Sequence, residues 1–142
     1  MLSSPAILLS TYNGERFLKA MLDSVASQIG VNLVLYWRDD GSRDATVKIV
    51  RGYYKYIDIR EVSGDARLGP CASFLALLRA AAPHHASFHF ADQDDVWEPG
   101  KVAHSHKFVT QNEVPTLFHC RQQLIDCSDR PLRLSRLSGP SS

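Results

Sequence analysis

Short apolar runs alternate with stretches of helical periodicity along most of this chain. The first run, residues 5–10, is mostly apolar and ends at the turn signal of residues 12–14, which is typical of a buried strand. Between residues 15 and 28 apolar side chains recur every three or four positions, which predicts an amphipathic helix. Strand and helix in alternation predict an α/β domain, in which a mostly parallel sheet carries helices on both faces.

The alternation continues downstream. It predicts further strands at residues 31–37, 57–62, 86–90 and 116–119, and further helices at residues 44–54, 70–81 and 99–113. Parallel sheets of this class bind ligands at the carboxyl ends of the strands, near the point where the strand order reverses. We expect one domain over residues 1–127, and a flexible tail over residues 128–142, where no period is visible.

Composition excludes several classes of protein. The chain has 16 basic and 15 acidic side chains, so a nucleic-acid partner is not indicated. No apolar run approaches the roughly 18 residues that span a bilayer, and no basic segment precedes the first apolar stretch, as a signal peptide requires. The three cysteines, Cys71, Cys120 and Cys127, have no CxxC spacing, which argues against a disulfide framework or a zinc site. A reducing cytoplasm is the expected location.

Two acidic clusters each follow a predicted strand. The first contains Asp39 and Asp40, and the second contains Asp92, Asp94 and Asp95. Taken alone, each cluster is also typical of a solvated turn or a helix start. At one edge of a parallel sheet their negative charges would repel, and a divalent cation with oxygen ligands such as Mg²⁺ or Mn²⁺ would relieve this. The pair of clusters therefore predicts a metal-assisted site for a phosphate-containing ligand.

Other motifs fail on inspection. Residues 64–69 have the glycine spacing of a P-loop, but Pro70 and Cys71 stand where lysine and serine or threonine are required. Neither GxGxxG nor GxSxG occurs. An EF-hand loop starting at Asp92 would place Trp97 at the obligatory glycine.

Four motifs in order carry a family resemblance. The segments LSTYNGE (residues 9–15), DDGSRDAT (residues 39–46), LG followed by Phe74, and DQDDVW (residues 92–97) resemble family-2 glycosyltransferases over residues 5–127. The resemblance implies a Rossmann-like GT-A fold, a UDP- or dTDP-sugar donor, a divalent metal and inversion at the anomeric carbon. DQDDVW, followed by Pro99 and Lys101, is most similar to bacterial members that build surface polysaccharide, including rhamnosyltransferases.

The same resemblance implies roles for individual residues. The implied donor-binding residues are Thr11, Tyr12, Glu15, Asp39, Asp40, Gly69, Asp92 and Asp95. Among them, Asp39 would bind the base and Asp95 would help to hold the sugar. Asp94 and Asp92 are the implied metal ligands, with Asp94 preferred. For Tyr12 and Trp97, simple packing is an equal alternative. Arg67 departs from the family, because relatives often have asparagine there.

No general base is assigned, because the late carboxylates Asp126 and Asp129 lack the family's surrounding motif. We therefore expect the donor-binding part of a longer enzyme, too short to be active alone. A nucleotide-sugar-binding module without turnover is the alternative, and a nucleotidyltransferase is disfavoured because a glycine-rich, lysine-containing loop is missing. Expected partners are the sugar donor and a saccharide or lipid-linked acceptor. Peripheral association with membrane-bound machinery and self-association through an uncovered apolar face stay open.

Overall fold

The computed structural model describes residues 4–64 and 66–136. The strands in this part of the chain are β1 (Ala6–Thr11), β2 (Val34–Asp39), β3 (Asp58–Glu61), β4 (Phe88–Ala91), β5 (Gln123–Ile125) and β6 (Pro131–Leu134). The helices are α1 (Glu15–Ala26), α2 (Thr46–Arg51), α3 (Pro70–Ala81) and α4 (Lys101–Thr110). The predicted alternation of strands and helices is thus confirmed up to α4.

The first four strands form one parallel sheet in the order β3-β2-β1-β4. The chain adds β2 and β3 on one side of β1 and then returns to the other side with β4, so the strand order reverses beside β1. In the register, Thr11 lies opposite Asp39, and Leu9 lies opposite Ala91. The loops that follow β1, β2 and β4 therefore meet at one edge of the sheet, as the sequence predicts.

Helices cover both faces of the sheet. Alternate residues of the central strands point to opposite sides, because side chains along a strand have a period of two. Ile7 and Leu35 belong to a core with α1, α2 and α4. Leu8 and Tyr36 belong to a second core, closed by Leu77 of α3. The nearly continuous apolar sequence of β1 is explained by this burial on both faces.

The last third of the chain differs from expectation. The strand predicted at residues 116–119 is wrong: this segment is irregular, and 85% of Leu117 is exposed. Among the described residues this segment pairs with no strand, and Phe118 packs instead on Phe108 of α4, at 5.5 Å between ring centroids. The first strand after α4 is β5, seven residues beyond the start expected for it.

The expected domain boundary at residue 127 falls inside a hairpin. Strands β5 and β6 pair antiparallel, so residues 131–134 of the expected tail form a strand. The turn between them is closed by Asp126, whose carboxylate accepts hydrogen bonds from the N–H groups of Ser128 and Arg130, at 2.8 and 3.1 Å. The rest of the expected tail, residues 137–142, lies outside the described residues. No helix in the described part of the chain has both the length and the apolar character needed to cross a bilayer.

Candidate functional site

A cleft of about 320 Å³ opens at the carboxyl edge of the sheet, beside the reversal of strand order. It is lined by Ser10, Thr11, Tyr12, Asp40, Arg67, Gly69, Pro70, Phe74, Asp92, Gln93 and Asp94. Six of the nine residues expected at the site line this cleft: Thr11, Tyr12, Asp40, Gly69, Asp92 and Asp94. Asp39, Glu15 and Asp95 do not line it.

Asp39 closes its own turn. One carboxylate oxygen accepts hydrogen bonds from the hydroxyls of Thr11 and Ser42, at 2.9 and 2.6 Å. The other oxygen accepts from the backbone N–H groups of Gly41 and Ser42, at 3.2 and 2.8 Å. Gly41 has a φ of +91°, a conformation that favours glycine. Both oxygens of Asp39 thus hold together the ends of β1 and β2 and the loop that follows.

Asp40 is 4% exposed and pairs with Arg38, at 2.7 Å from the guanidinium Nη1. Its two oxygens also accept hydrogen bonds from the N–H groups of Leu68 and Gly69, at 2.7 and 2.8 Å. Burial by itself would raise the pKa of this carboxyl. The bonds from Leu68, Arg38 and Gly69 outweigh burial and lower the pKa of Asp40 to about 2. Asp40 is therefore an ionised, internally satisfied group that fixes the loop before α3.

Arg38 completes this buried network. Its guanidinium is 2% exposed and donates to the Ser73 hydroxyl at 2.8 Å and to the Ala66 carbonyl at 2.5 Å. Sequence reasoning missed Arg38, although a signal was present. A lone arginine at the end of an apolar strand, two residues from an aspartate, indicates a buried ion pair.

The second acidic cluster is organised differently. Asp92 and Asp94 are exposed, and their carboxylates make no hydrogen bond or salt bridge within residues 4–64 and 66–136. Asp95 is half-buried, and its pKa is raised, first by burial and then by the charge of Asp92, while Lys101 opposes the shift. Asp95 lies on a larger neighbouring cavity of about 730 Å³ that also contains Asp92. The cluster thus concentrates unneutralised negative charge between the cleft and this cavity.

Gln93 fixes the loop of the second cluster against β1. Its amide oxygen accepts the N–H of Tyr12 at 3.0 Å, and its amide nitrogen donates to the Tyr12 carbonyl at 3.2 Å. The Tyr12 ring is 38% exposed and faces the cleft, where the guanidinium carbon of Arg67 lies 4.0 Å from the ring centroid. Gln93 was not singled out from the sequence, because an amide between three aspartates carries no chemical signal of its own.

Glu15 holds the first two loops of the site together. Its carboxylate accepts the N–H of Ala45 at 2.8 Å, while its own N–H donates to Asp44 at 3.2 Å. Next to it, the Gly14 N–H donates to the buried Thr46 hydroxyl at 2.8 Å. The start of α1 and the start of α2 are therefore joined by reciprocal contacts, and Glu15 acts on the cleft only through them.

Tyr12 and Trp97, for which packing and ligand binding were equal alternatives, differ in their surroundings. Trp97 is 4% exposed and belongs to the core beneath α1, and its backbone N–H donates to the Ser24 hydroxyl at 3.0 Å. Trp97 therefore packs in the core, and it also lines the neighbouring cavity together with Asp92 and Asp95. Tyr12, in contrast, presents its ring to the cleft.

The side chains of residues 4–64 and 66–136 do not build a complete metal site from protein ligands alone. In the described part of the chain, no three His, Cys, Asp or Glu side chains are grouped so that they could hold a metal ion. Asp92 and Asp94 nevertheless offer free carboxylate oxygens, which suit a hard divalent cation that takes its other ligands from water and a diphosphate. The donor set therefore fits Mg²⁺ or Mn²⁺ bound together with a phosphate-containing ligand.

Comparison with known proteins agrees with this architecture. An uncharacterized glycosyltransferase of Nostoc sp. is 26% identical over 95% of this chain, and the chain spans 41% of that protein's length. The structure of Staphylococcus aureus TarS (residues 1–349), solved in complex with UDP-GlcNAc, superposes with a TM-score of 0.67 at 22% identity. That match covers 76% of this chain and 31% of TarS.

A second solved structure is the mannosyltransferase PcManGT of Pyrobaculum calidifontis, in complex with GDP-Man and Mn²⁺. It superposes with a TM-score of 0.56 at 21% identity, covering 68% of this chain and 29% of PcManGT. These structural likenesses show that the parallel sheet and its helices have the GT-A fold. The model of glycosyl transferase family 2 matches residues 6–128. The chain therefore belongs to glycosyl transferase family 2.

Proposed function

We propose that the cleft binds a nucleoside-diphosphate sugar and that the chain is the donor-binding part of a glycosyltransferase. The observation that carries this proposal is the pair of free carboxylates, Asp92 and Asp94, which line one cleft with Tyr12 at the reversal of strand order. A family-2 relationship supports it, as do the fold relatives, whose structures contain UDP-GlcNAc or GDP-Man.

Different residues would contact different parts of the sugar donor. The Tyr12 ring offers a face for the base, and Thr11 and Asp39 hold the strand ends beneath it. Asp94, with Asp92, would hold Mg²⁺ or Mn²⁺. When bound, such an ion supplies charge neutralisation to the diphosphate leaving group. Asp95 lies on the neighbouring cavity that shares Asp92, so a sugar attached to the diphosphate would extend towards Asp95.

The proposed reaction is transfer with inversion to a saccharide or lipid-linked acceptor. An acceptor hydroxyl oxygen would bond to the anomeric carbon as the bond from that carbon to the diphosphate breaks. The proton of the hydroxyl needs a base, and Asp126 is unsuited because its carboxylate closes the β5–β6 turn. A role in bacterial surface polysaccharide follows from the DQDDVW motif. A cytoplasmic location is part of the proposal and agrees with three exposed, unpaired cysteines.

Thermal unfolding with nucleotides tests donor binding. We expect UDP, dTDP or GDP to raise the melting temperature in the presence of Mn²⁺ and much less with EDTA, because a ligand that binds only the native state stabilises it. At a hundredfold excess over the dissociation constant the stabilisation is about 3 kcal/mol. If none of the three diphosphates shifts the transition, the cleft is not a donor site.

The engaged carboxylate of Asp126 favours a second candidate, a nucleotide-sugar-binding module without turnover. Release of the nucleoside diphosphate from its sugar donor distinguishes the two functions. A chain that binds the diphosphate but releases none from UDP-GlcNAc, UDP-glucose or dTDP-rhamnose, with any saccharide acceptor offered, would be the binding module.

A further inference from the structure

We propose that Arg67 binds the diphosphate of the donor and thereby selects diphosphate-containing ligands. The proposal rests on the donor site described above and adds a residue that the family motifs do not assign. Arg67 is the one basic residue among those that line the cleft in the described part of the chain.

The position of Arg67 is set by the buried pair of Arg38 and Asp40. On one side of Arg67, the Ala66 carbonyl accepts a hydrogen bond from Arg38 at 2.5 Å. On the other side, the Leu68 N–H donates to Asp40 at 2.7 Å. Both flanking residues are therefore anchored to the end of β2, and the side chain between them projects towards the cleft. The buried ion pair of Arg38 and Asp40 thus positions an exposed cation.

Contacts of the Arg67 side chain also hold it at the cleft. Its guanidinium stacks on the Tyr12 ring, 4.0 Å from the centroid, and it forms no salt bridge with any carboxylate in residues 4–64 and 66–136. The backbone of Tyr12 is itself fixed by two hydrogen bonds with the Gln93 side chain, one in each direction. An arginine held by stacking keeps the edge of its guanidinium, with the N–H donors, free for another partner.

The charges in the cleft indicate that the partner of the Arg67 guanidinium is the diphosphate. Asp92 and Asp94 repel an anionic ligand, and together with a diphosphate they carry more negative charge than one divalent cation neutralises. A cation already in the cleft reduces this excess. The planar guanidinium also matches two phosphate oxygens at once, which an ammonium group does not. A sugar hydroxyl or a neutral base offers no comparable gain.

The experiment compares a nucleoside diphosphate with its nucleoside. The wild type first identifies which of UDP, dTDP and GDP binds with Mn²⁺, by calorimetry. Arg67→Gln should weaken that diphosphate about tenfold or more, because a hydrogen bond to a charged group is lost. Binding of the matching nucleoside, measured by NMR titration, should change less than twofold. Arg67→Lys should restore part of the affinity, and Arg79→Gln, at the far end of α3, serves as the charge-matched control.

Two outcomes would contradict the proposed role of Arg67. Equal losses for diphosphate and nucleoside would mean that Arg67 acts on the base through Tyr12, and an unchanged diphosphate affinity would mean that it does not contact the ligand. Either result overturns the inference while leaving the donor site intact. A wild type that binds no nucleoside diphosphate fails at the first step, and then the proposed function itself is wrong.

Discussion

The two acidic clusters have the same side chains, follow strands of the same sheet and reach the same edge, yet they differ in what satisfies their carboxylates. Asp39 and Asp40 accept hydrogen bonds from backbone N–H groups, hydroxyls and one guanidinium. The carboxylates of Asp92 and Asp94 accept none within the described part of the chain. The carboxylates of the first cluster hold together loops beside the cleft, and those of the second cluster have no partner within the described part of the chain.

This difference shows why an acidic motif does not identify a ligand site by itself. A buried carboxylate is stable only when donors surround it, so its oxygens are no longer available to a ligand. An exposed carboxylate has no such need, and its free oxygens repel one another until a cation or a proton arrives. Structural and ligand-binding aspartates can therefore be separated by counting the donors that each one already has.

The largest expected effect is on stability and comes from the first cluster. Asp40→Asn should lower the free energy of unfolding by about 3 kcal/mol, because it leaves the Arg38 guanidinium buried without a counter-charge. Urea denaturation followed by circular dichroism measures this. The matched change in the second cluster, Asp92→Asn, should stay within about 0.5 kcal/mol of the wild type. Equal losses for the two variants would show that the clusters do not differ as described.

Most of the fold could be predicted from the sequence, because β1, β2 and the helices α1 and α3 have strong periodicity and clear ends. The exception is the region after α4. Residues 116–119 were expected to form a strand, but pairing depends on a neighbour elsewhere in the fold, which the local sequence does not reveal. The hairpin of β5 and β6 was missed because its strands are short and exposed, so they carry little apolar pattern.

Prediction of the site was less complete. Motif order brought Thr11, Tyr12, Asp92 and Asp94 to one edge correctly, since parallel strands place their carboxyl ends together. It did not reveal that Asp40 is internally satisfied. That depends on Arg38, whose place near Asp40 does indicate an ion pair. It depends also on the loop of residues 66–69, which is distant from Asp40 in sequence and has no pattern that points to it.

A second effect is expected on acidification, which should lower the free energy of unfolding of the wild type by about 2 kcal/mol through protonation of Asp40. The pKa of Asp40 falls from an ordinary value near 3.8 to about 2 on folding. Its ionised form therefore stabilises the native state above about pH 4, and this contribution is lost as the pH falls from 4 towards 2. Urea denaturation at pH 6, 4 and 3 should show the gap between wild type and Asp40→Asn narrowing with acidity. A gap that is constant over this range would contradict the low pKa.

A third effect is expected for Asp39→Asn, which should lower the free energy of unfolding by about 1 to 2 kcal/mol. Asp39→Asn replaces one acceptor oxygen by an NH₂ group, which cannot accept the hydrogen bonds of the 39–42 turn. Thermal unfolding should detect the loss, and Ser42→Ala, which removes one of these donors, should cost less. If Asp39→Asn is as stable as the wild type, the turn is not held by the carboxylate.

The smallest effect on stability is expected for Asp94→Asn, which should change the free energy of unfolding by less than about 0.5 kcal/mol. The same substitution should have a large effect on metal-dependent ligand binding. Asp94→Asn removes a free carboxylate that no donor in the described chain satisfies, so the fold has nothing to lose. The Mn²⁺-dependent part of the melting shift with UDP, dTDP or GDP should disappear, while any shift measured in EDTA stays. Glu113→Gln, which changes an exposed carboxylate three residues beyond the end of α4, is the matched control and should keep the full metal response. A variant that retains the Mn²⁺ dependence would remove Asp94 from the metal site, and the same test at Asp92 would then show whether the cluster holds the ion at all.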